Sequence, residues 1–333
     1  MNKNNISKVS KVTKIYKLSK YIKHILKYIV YSIICILVLI LFFKYISIEK
    51  FELNRIKNVN TINSTITINN KIYIICKKSE YNYMEDYILS FYKKVNAEIV
   101  IFDEIKELPE INKIDIYIFI QTIPNEILNT IDSQNSNVYL LNTEQLSRNG
   151  EKTQINKNPK NIKMLDYSKA NMKYYDKEYY TKFLSYQLNY NELYNLPKTK
   201  DICIMVGESE YRRNIINQLI NKGYTIDIIS GWKKERDEKL FTYKILVNIS
   251  YQEDYKIFES LRCDRCIFNK MIVISDKKED MNLYYLKNYM IFEDYNKVAD
   301  KVIEVLNNYD TYYKKLGLDT LDLNQLEIDP IIL

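Results

Sequence analysis

The sequence predicts an α/β fold: two parallel-sheet domains behind an N-terminal transmembrane helix. Three observations predict it. The chain opens on a lysine-rich tail that runs into an uncharged apolar stretch. Short apolar, β-branched runs then recur, spaced by helix-length mixed segments. These runs fall into two series that meet near "NLPKTK" at 195–200. Continuous apolar strands with helix-length spacers are the pattern of parallel sheets covered on both faces. Two such series imply two Rossmann-like domains facing each other.

The tail comes first. The net charge of the 333 residues is +7, but residues 1–27 carry eight lysines and no acid, so the remainder sums to about −1. A basic body would point to nucleic acid. This body has no basic bias, and nucleic-acid binding is not expected. Residues 28–43, "YIVYSIICILVLILFF", carry no charge; Lys44 interrupts and "YISI" extends the stretch to Ile48. Sixteen residues rise about 24 Å, short of a hydrocarbon core of about 30 Å. The extension, with Lys27 and Lys44 snorkelling, makes up the difference. A buried soluble helix is rarely apolar on every face at this length. The long basic region and the lack of a small-residue cleavage site argue against a cleaved signal peptide. A signal anchor is therefore expected at 28–48. It places the tail 1–27 in the cytoplasm by the positive-inside rule and the body in a lumen or the exterior, as in a single-pass type II membrane protein. The tail's lysine and aliphatic repeat also suits an anionic membrane surface. Residues 49–70 are polar and read as a stem, with a glycosylation sequon at Asn63-Ser64-Thr65.

In the first series the runs are "KIYIIC" (71–76), "AEIVIF" (97–102), "IDIYIFI" (114–120), "NVYLLN" (137–142) and "IKMLDY" (162–167). In the second they are "DICIMVG" (201–207), "YTIDIIS" (224–230), "KILVNI" (244–249), "MIVIS" (271–275) and "YMIFED" (289–294). The expected domains are 71–195 and 200–316. The second ends in a helix over 296–316, where Val298, Val302, Ile303, Val305 and Leu306 recur at helical spacing. Residues 317–333 are left as a C-terminal tail.

Little familiar catalytic machinery is present. The one histidine, His24, lies in the tail, which removes Ser-His-Asp, Cys-His and histidine-base chemistry from the body. There is no GxGxxG and no P-loop. Cys263-x-x-Cys266 is a single pair, whereas a structural zinc site needs four ligands. It falls within a helix rather than at a helix N-terminus after a strand, where redox pairs sit, so packing cysteines are expected and no metal. In "DICIMVGESEYRRNIINQLINKGYTIDIIS", Gly207 stands at the carboxyl end of a strand, where ligands bind in such folds. The helix after it offers free N–H groups, and Arg212 and Arg213 in its first turns suit a diphosphate or, equally, solvent. Glu259 and Arg262 are three apart on a helix and able to pair with each other.

The succession "KILVNI", "FESLRCDRCIFNKMIVIS", "YMIFEDYNKVADKVIEVL" resembles the C-terminal domain of GT-B fold glycosyltransferases, of the group-1-like kind found in giant viruses. Such proteins tend to show an Asn-Ile-His after a strand, a Glu-x-x-Arg helix, a Gly-Lys-like turn and a "VVS" strand. Here these fall at Asn248-Ile249-Ser250, Glu259 to Arg262, Asn269-Lys270 and "VIS". Upstream, "YLLNTEQLSR", "MLDYSKANMKYY" and "FLSYQLNYNELY" look like the family's N-terminal half and crossover, so the resemblance spans about 137–310. The chain departs from the pattern at Ser250 for His, Asn269 for Gly, Met271 for Pro, and Ser185 where the crossover has Pro.

The resemblance implies a metal-independent, hexosyltransferase-like enzyme that takes a sugar from a nucleotide-diphosphate donor to a glycan, lipid or protein acceptor, with no further cofactor. It implies a donor site of Gly207, Arg212, Arg213, Asn248, Glu259, Arg262, Asp264, Asn269 and Lys270. Glu259 and Asp264 compete to hold the donor ribose. Arg212 and Arg213 would stabilise the charge that grows on the leaving group. An acceptor-side base would come from Glu144 in "NTEQ" or Asp166 in "LDYS", both after strands; capping or ion pairing is the other use for either. Two rivals remain: a non-catalytic nucleotide- or sugar-binding relic of the fold, and a membrane-tethered interaction protein.

Overall fold

The computed structural model describes residues 70–131, 137–176, 179–205 and 207–326. The basic tail, the anchor at 28–48, the stem up to residue 69 and its sequon lie outside the described residues. Among those described, no helix is long and apolar enough to cross a membrane.

The described residues form one compact unit built on two all-parallel sheets. The first contains β1 (Ile72–Lys77), β2 (Glu98–Phe102), β3 (Ile116–Ile120), β4 (Asn137–Asn142), β5 (Lys163–Asp166) and β6 (Thr181–Phe183), in the order β2-β1-β3-β4-β5-β6. The second contains β7 (Lys200–Ile204), β8 (Asp227–Ile228), β9 (Tyr243–Asn248), β10 (Ile272–Asp276) and β11 (Met290–Glu293), in the order β11-β10-β9-β7-β8. Each expected strand is present. The reason is burial on both faces: Ile74 and Ile75 point to opposite sides of β1 and neither is exposed, as an unbroken apolar run requires. β8 is only two exposed residues long at a sheet edge, and β6 was not anticipated, because "TKF" carries no apolar run.

Eight α-helices cover the sheets in the described residues: α1 (Lys78–Phe91), α2 (Asn125–Thr130), α3 (Asn149–Ile155), α4 (Glu210–Asn221), α5 (Lys233–Leu240), α6 (Ser260–Phe268), α7 (Val298–Asn307) and α8 (Tyr309–Lys315). α4 shows how locally the boundaries are set. The Ser209 hydroxyl accepts from the Arg212 N–H at its start. At its end Gly223 takes φ +86, and the Gly223 and Tyr224 N–H groups bond back to the Ile220 and Leu219 carbonyls, a Schellman closure. The single helix expected over 296–316 is two, α7 and α8, interrupted at Asn308. Part of the expected tail is also core: Leu318 and Leu321 are buried.

The two halves share their interior. One apolar cluster runs from Ile74 and Tyr186 of the first half to Ile202, Cys263 and Phe268 of the second; another, with Tyr117, Phe119 and Leu140, fills the opposite face of the first sheet. Cys263 and Cys266 are fully buried free thiols, and burial pushes the Cys266 thiol up to about 12. Their role is packing.

A buried ion network crosses the same interface. Arg236 on α5 meets Asp86 on α1 at 2.6 Å. Arg265 on α6 meets Asp86 at 3.0 Å and Glu192 of the crossover at 3.0 Å. Asp237 pairs with both arginines.

Candidate functional site in the interdomain cleft

In doubly wound sheets, ligands bind outside the carboxyl ends of the strands, where strand order reverses. In the first sheet that point is between β1 and β3; in the second it is between β7 and β9. Both contribute to one cleft. A cavity of about 430 Å³ is lined by Tyr83, Met84 and Asp86 of α1, by Gly207 after β7, by Gly231 and Trp232 after β8, and by Arg262 of α6. An adjoining cavity of about 190 Å³ is lined by Glu144, Gln145 and Arg148 after β4, by Tyr167 after β5, and by Tyr255, Glu259 and Arg262. Leu261 and Arg262 belong to both walls.

The residues around Arg262 form a chain across the cleft. Arg262 pairs with Glu259 at 2.6 Å and donates to the Asn248 side-chain oxygen at 3.1 Å. The other Glu259 oxygen accepts from the Gln145 amide at 3.0 Å. Asn248 in turn donates to Ser275 at the end of β10. Three residues from the resemblance, Asn248, Glu259 and Arg262, are thus brought together, and Glu144 joins them from the other half.

Glu144 is half-buried. Arg148 donates to it at 2.9 Å, and the Gln121 amide contacts its other oxygen at 3.3 Å. Burial and then the neighbouring Glu151 raise its carboxyl to about 7, with Glu259 and Glu80 adding to the rise and Arg148 opposing it. A carboxyl near neutrality in a cleft is suited to proton transfer. Gln121 itself sits at φ +61, a costly conformation for a residue with a side chain. From there it bonds Tyr83, Thr143 and Glu144, tying the two cavities together.

The other expected site residues are placed differently. Asp166 is fully buried and accepts from Asn142, Ser168, Asn171 and Tyr175; burial raises it to about 6. It clamps the loop after β5 and lines neither cleft cavity. Asp264 is also fully buried, raised by burial to about 7, and takes hydrogen bonds from Tyr284 and Tyr285, on the side of α6 away from Glu259. Asn269 and Lys270 lie at the C-terminal end of α6, which precedes the amino end of β10, so they sit at the opposite sheet edge. There Asn269 bonds Glu192 and Tyr194 of the crossover.

Arg212 is buried, with its guanidinium on the Gly207 and Ile249 carbonyls; burial lowers it to about 10. It braces the loops that line the cleft. Arg213 is exposed and paired with Glu208 at 3.0 Å. A Cβ at Gly207 would meet nothing within 4 Å, so the position is open to the cleft.

Sequence reasoning missed Gln121, Gln145, Arg148 and the Tyr83–Trp232 pair, whose ring centroids are 6.2 Å apart. Gln145 adjoins Glu144 in "NTEQ" and was within reach; Gln121 carried no signal. Among the described residues, no group of three or more His, Cys, Asp and Glu is placed to hold a metal ion.

No family model matches the chain. It is 30% identical over 248 residues to the uncharacterized protein L140 of Acanthamoeba polyphaga mimivirus, covering 71% of this chain and 80% of the relative. The chain belongs to the family of L140. Protein L138 of the same virus is 30% identical over 262 residues, a match that spans 71% of this chain but only 29% of L138; for L137 the span is 35% of the relative. Kinship with giant-virus proteins is thus shown. Among solved structures, Anabaena HepE in complex with UDP aligns at TM-score 0.49 and 8% identity, over 74% of this chain and 93% of that one. WaaG, a glycosyltransferase involved in lipopolysaccharide biosynthesis, aligns at 0.47 and 11%, over 76% and 97%. At these scores the fold of this L140 relative rests on its own sheets: two parallel Rossmann-like halves with a common cleft.

Proposed function

We propose that this protein is a GT-B glycosyltransferase that moves a sugar from a nucleotide-diphosphate donor to a glycan, lipid or protein acceptor, held at a membrane by residues 28–48. One observation carries the reading. Where the two switch points share a cleft, a carboxyl poised near pH 7 in one half stands in the same pocket as an arginine–glutamate pair in the other. The donor nucleotide would lie in the larger cavity against Gly207 and Trp232. Arg262 would face the diphosphate, and Glu259 would accept donor hydroxyls.

Glu144 would take the acceptor hydroxyl's proton as that oxygen bonds to the anomeric carbon. The bond from that carbon to the diphosphate oxygen breaks in the same step, and the nucleoside diphosphate leaves with the electron pair. A single displacement of this kind inverts the anomeric centre. No side chain in this scheme requires a metal.

A second reading, donor binding without turnover, is favoured by Arg212: the guanidinium expected to meet the departing diphosphate is held by two backbone carbonyls. The test is release of nucleoside diphosphate by the full chain in detergent, with chelator, across a panel of nucleotide sugars and acceptors. Release that disappears in Glu144→Gln supports transfer. Saturable binding with no release across the panel leaves the second reading standing.

A further inference from the structure

Two rings on the wall of the larger cleft cavity come from opposite halves of the molecule: Tyr83 from α1 and Trp232 from the loop after β8. Both are accessible, Trp232 at 53% and Tyr83 at 41%. Their centroids are 6.2 Å apart and their planes cross at 45°. That is neither the offset stack nor the edge-to-face arrangement that aromatic pairs prefer. The backbone sets where Trp232 stands. Gly231 at φ +94 and Lys233 at φ +63 lie on either side of it, and the second is costly for a residue with a side chain. The Lys233 ammonium then meets Glu85 on α1 at 2.7 Å. A large apolar ring is thus kept half in water beside a cavity, on strained backbone fastened to the other half.

The two cleft cavities differ in chemistry. Besides the rings, the larger one is walled by Met84, Met205, Ile229 and Leu261. Of its charged side chains, Asp86 pairs with both Arg236 and Arg265, and Arg262 stands on the wall shared with the adjoining cavity. The adjoining cavity is polar, lined by Thr143, Glu144, Gln145, Arg148 and Glu259. An apolar slot with aromatic plates suits a flat heteroaromatic ring, since every nucleobase has a π-face to stack. Carboxylates and amides suit the hydroxyls of a sugar. Atoms in contact lie about 3.5–4.0 Å apart, so a ring held between two others needs about 7–8 Å. From 6.2 Å, Tyr83 and Trp232 must part by about 1–2 Å and level their tilt to admit one.

We propose that the base of the nucleotide stacks on Trp232 while Tyr83 closes over its other face. The donor then lies with its base in the larger cavity, its diphosphate at Arg262 and its sugar beside Glu144. The placing of diphosphate and sugar rests on the transferase reading; the base site is read from the two rings.

Trp232 is the only tryptophan of the chain, so its emission reports on this site alone. The full chain in detergent is titrated with UDP, GDP, ADP, CDP and inorganic pyrophosphate, followed by tryptophan emission and by calorimetry. Wild type, Trp232→Phe, Trp232→Ala and Tyr83→Ala are compared. The expected result is saturable binding of at least one nucleotide that shifts or quenches the emission, with no emission change on adding pyrophosphate. Trp232→Ala should weaken nucleotide binding about five- to 150-fold. Tyr83→Ala should weaken it less, and Trp232→Phe least, since a ring remains; pyrophosphate affinity should hold in all three. Nucleotide binding that leaves the emission unchanged, with Trp232→Ala binding as wild type does, overturns the proposal and leaves the donor reading standing. Equal losses for nucleotide and pyrophosphate in Trp232→Ala also overturn it, because the ring is then not what is read. No nucleotide binding by folded wild type overturns both this site and the transferase reading.

Discussion

Two charged clusters join the halves of this protein, and they have opposite characters. The Asp86–Arg236–Asp237–Arg265–Glu192 network is nearly closed off: Arg236 and Arg265 side chains are each 5% exposed and Asp237 is 2% exposed, although Asp86, Arg236 and Arg265 edge the larger cleft cavity. Each of its arginines meets two or more carboxylates. The Glu144–Glu259–Arg262 group is open: Glu259 and Arg262 are each 24% exposed, and the two carboxylates share the pocket with one arginine apiece, Arg148 and Arg262. Residue types are the same in both. Access and spare bonding capacity separate a structural lock from a site. Removing a member of the first leaves buried charges unpaired; removing a member of the second leaves a cavity that water fills.

The largest expected effect comes from breaking the lock. Arg265→Met should cost on the order of 3–5 kcal/mol, read as a lower midpoint in chemical denaturation. A loss under about 1 kcal/mol would mean the network is no more than a surface cluster. Glu144→Gln should do the reverse: stability within about 1 kcal/mol of wild type, and turnover reduced about 10²- to 10⁴-fold with donor affinity kept. Wild-type turnover should rise with pH through about 7 as Glu144 loses its proton. Glu151→Gln removes a repelling charge and should move that limb to lower pH.

A milder effect belongs to the buried carboxyls. Asp166 and Asp264 are raised from 3.8 to about 6 and about 7. The folded state therefore keeps protons that the unfolded chain releases. That contribution is present below about pH 4 and is lost as pH rises through 6 to 7. The melting temperature should fall from pH 5 to pH 8, and Asp264→Asn should flatten that slope. Smallest is Arg213→Ala: an exposed pair, with stability changed by less than about 0.5 kcal/mol and donor affinity unchanged. A large loss of affinity there would return Arg213 to the site.

The strands were legible because parallel strands buried on both faces leave unbroken apolar runs. β6 and the shortness of β8 were not, since edge strands need few apolar residues. At the candidate site, Glu259, Arg262, Asn248 and Glu144 were named from order and neighbours, and the fold places them close together. Arg262 and Arg265 stand on one helix three residues apart, and nothing local says which is sealed. That is decided by Asp86, 179 residues away in sequence from Arg265. The partners of Arg212 and Asp264, backbone carbonyls and tyrosines, are likewise supplied only by the fold. Gln121 is invisible because strain has no residue signature.

The most direct measurement is calorimetric titration of full-length protein with UDP- and GDP-sugars, for wild type, Arg262→Ala and Glu259→Gln. Saturable binding by wild type, weakened tenfold or more in Arg262→Ala and less in Glu259→Gln while both stay folded, is the predicted result. Folded wild type that binds none of them, or both variants binding as wild type does, would contradict a donor site in this cleft.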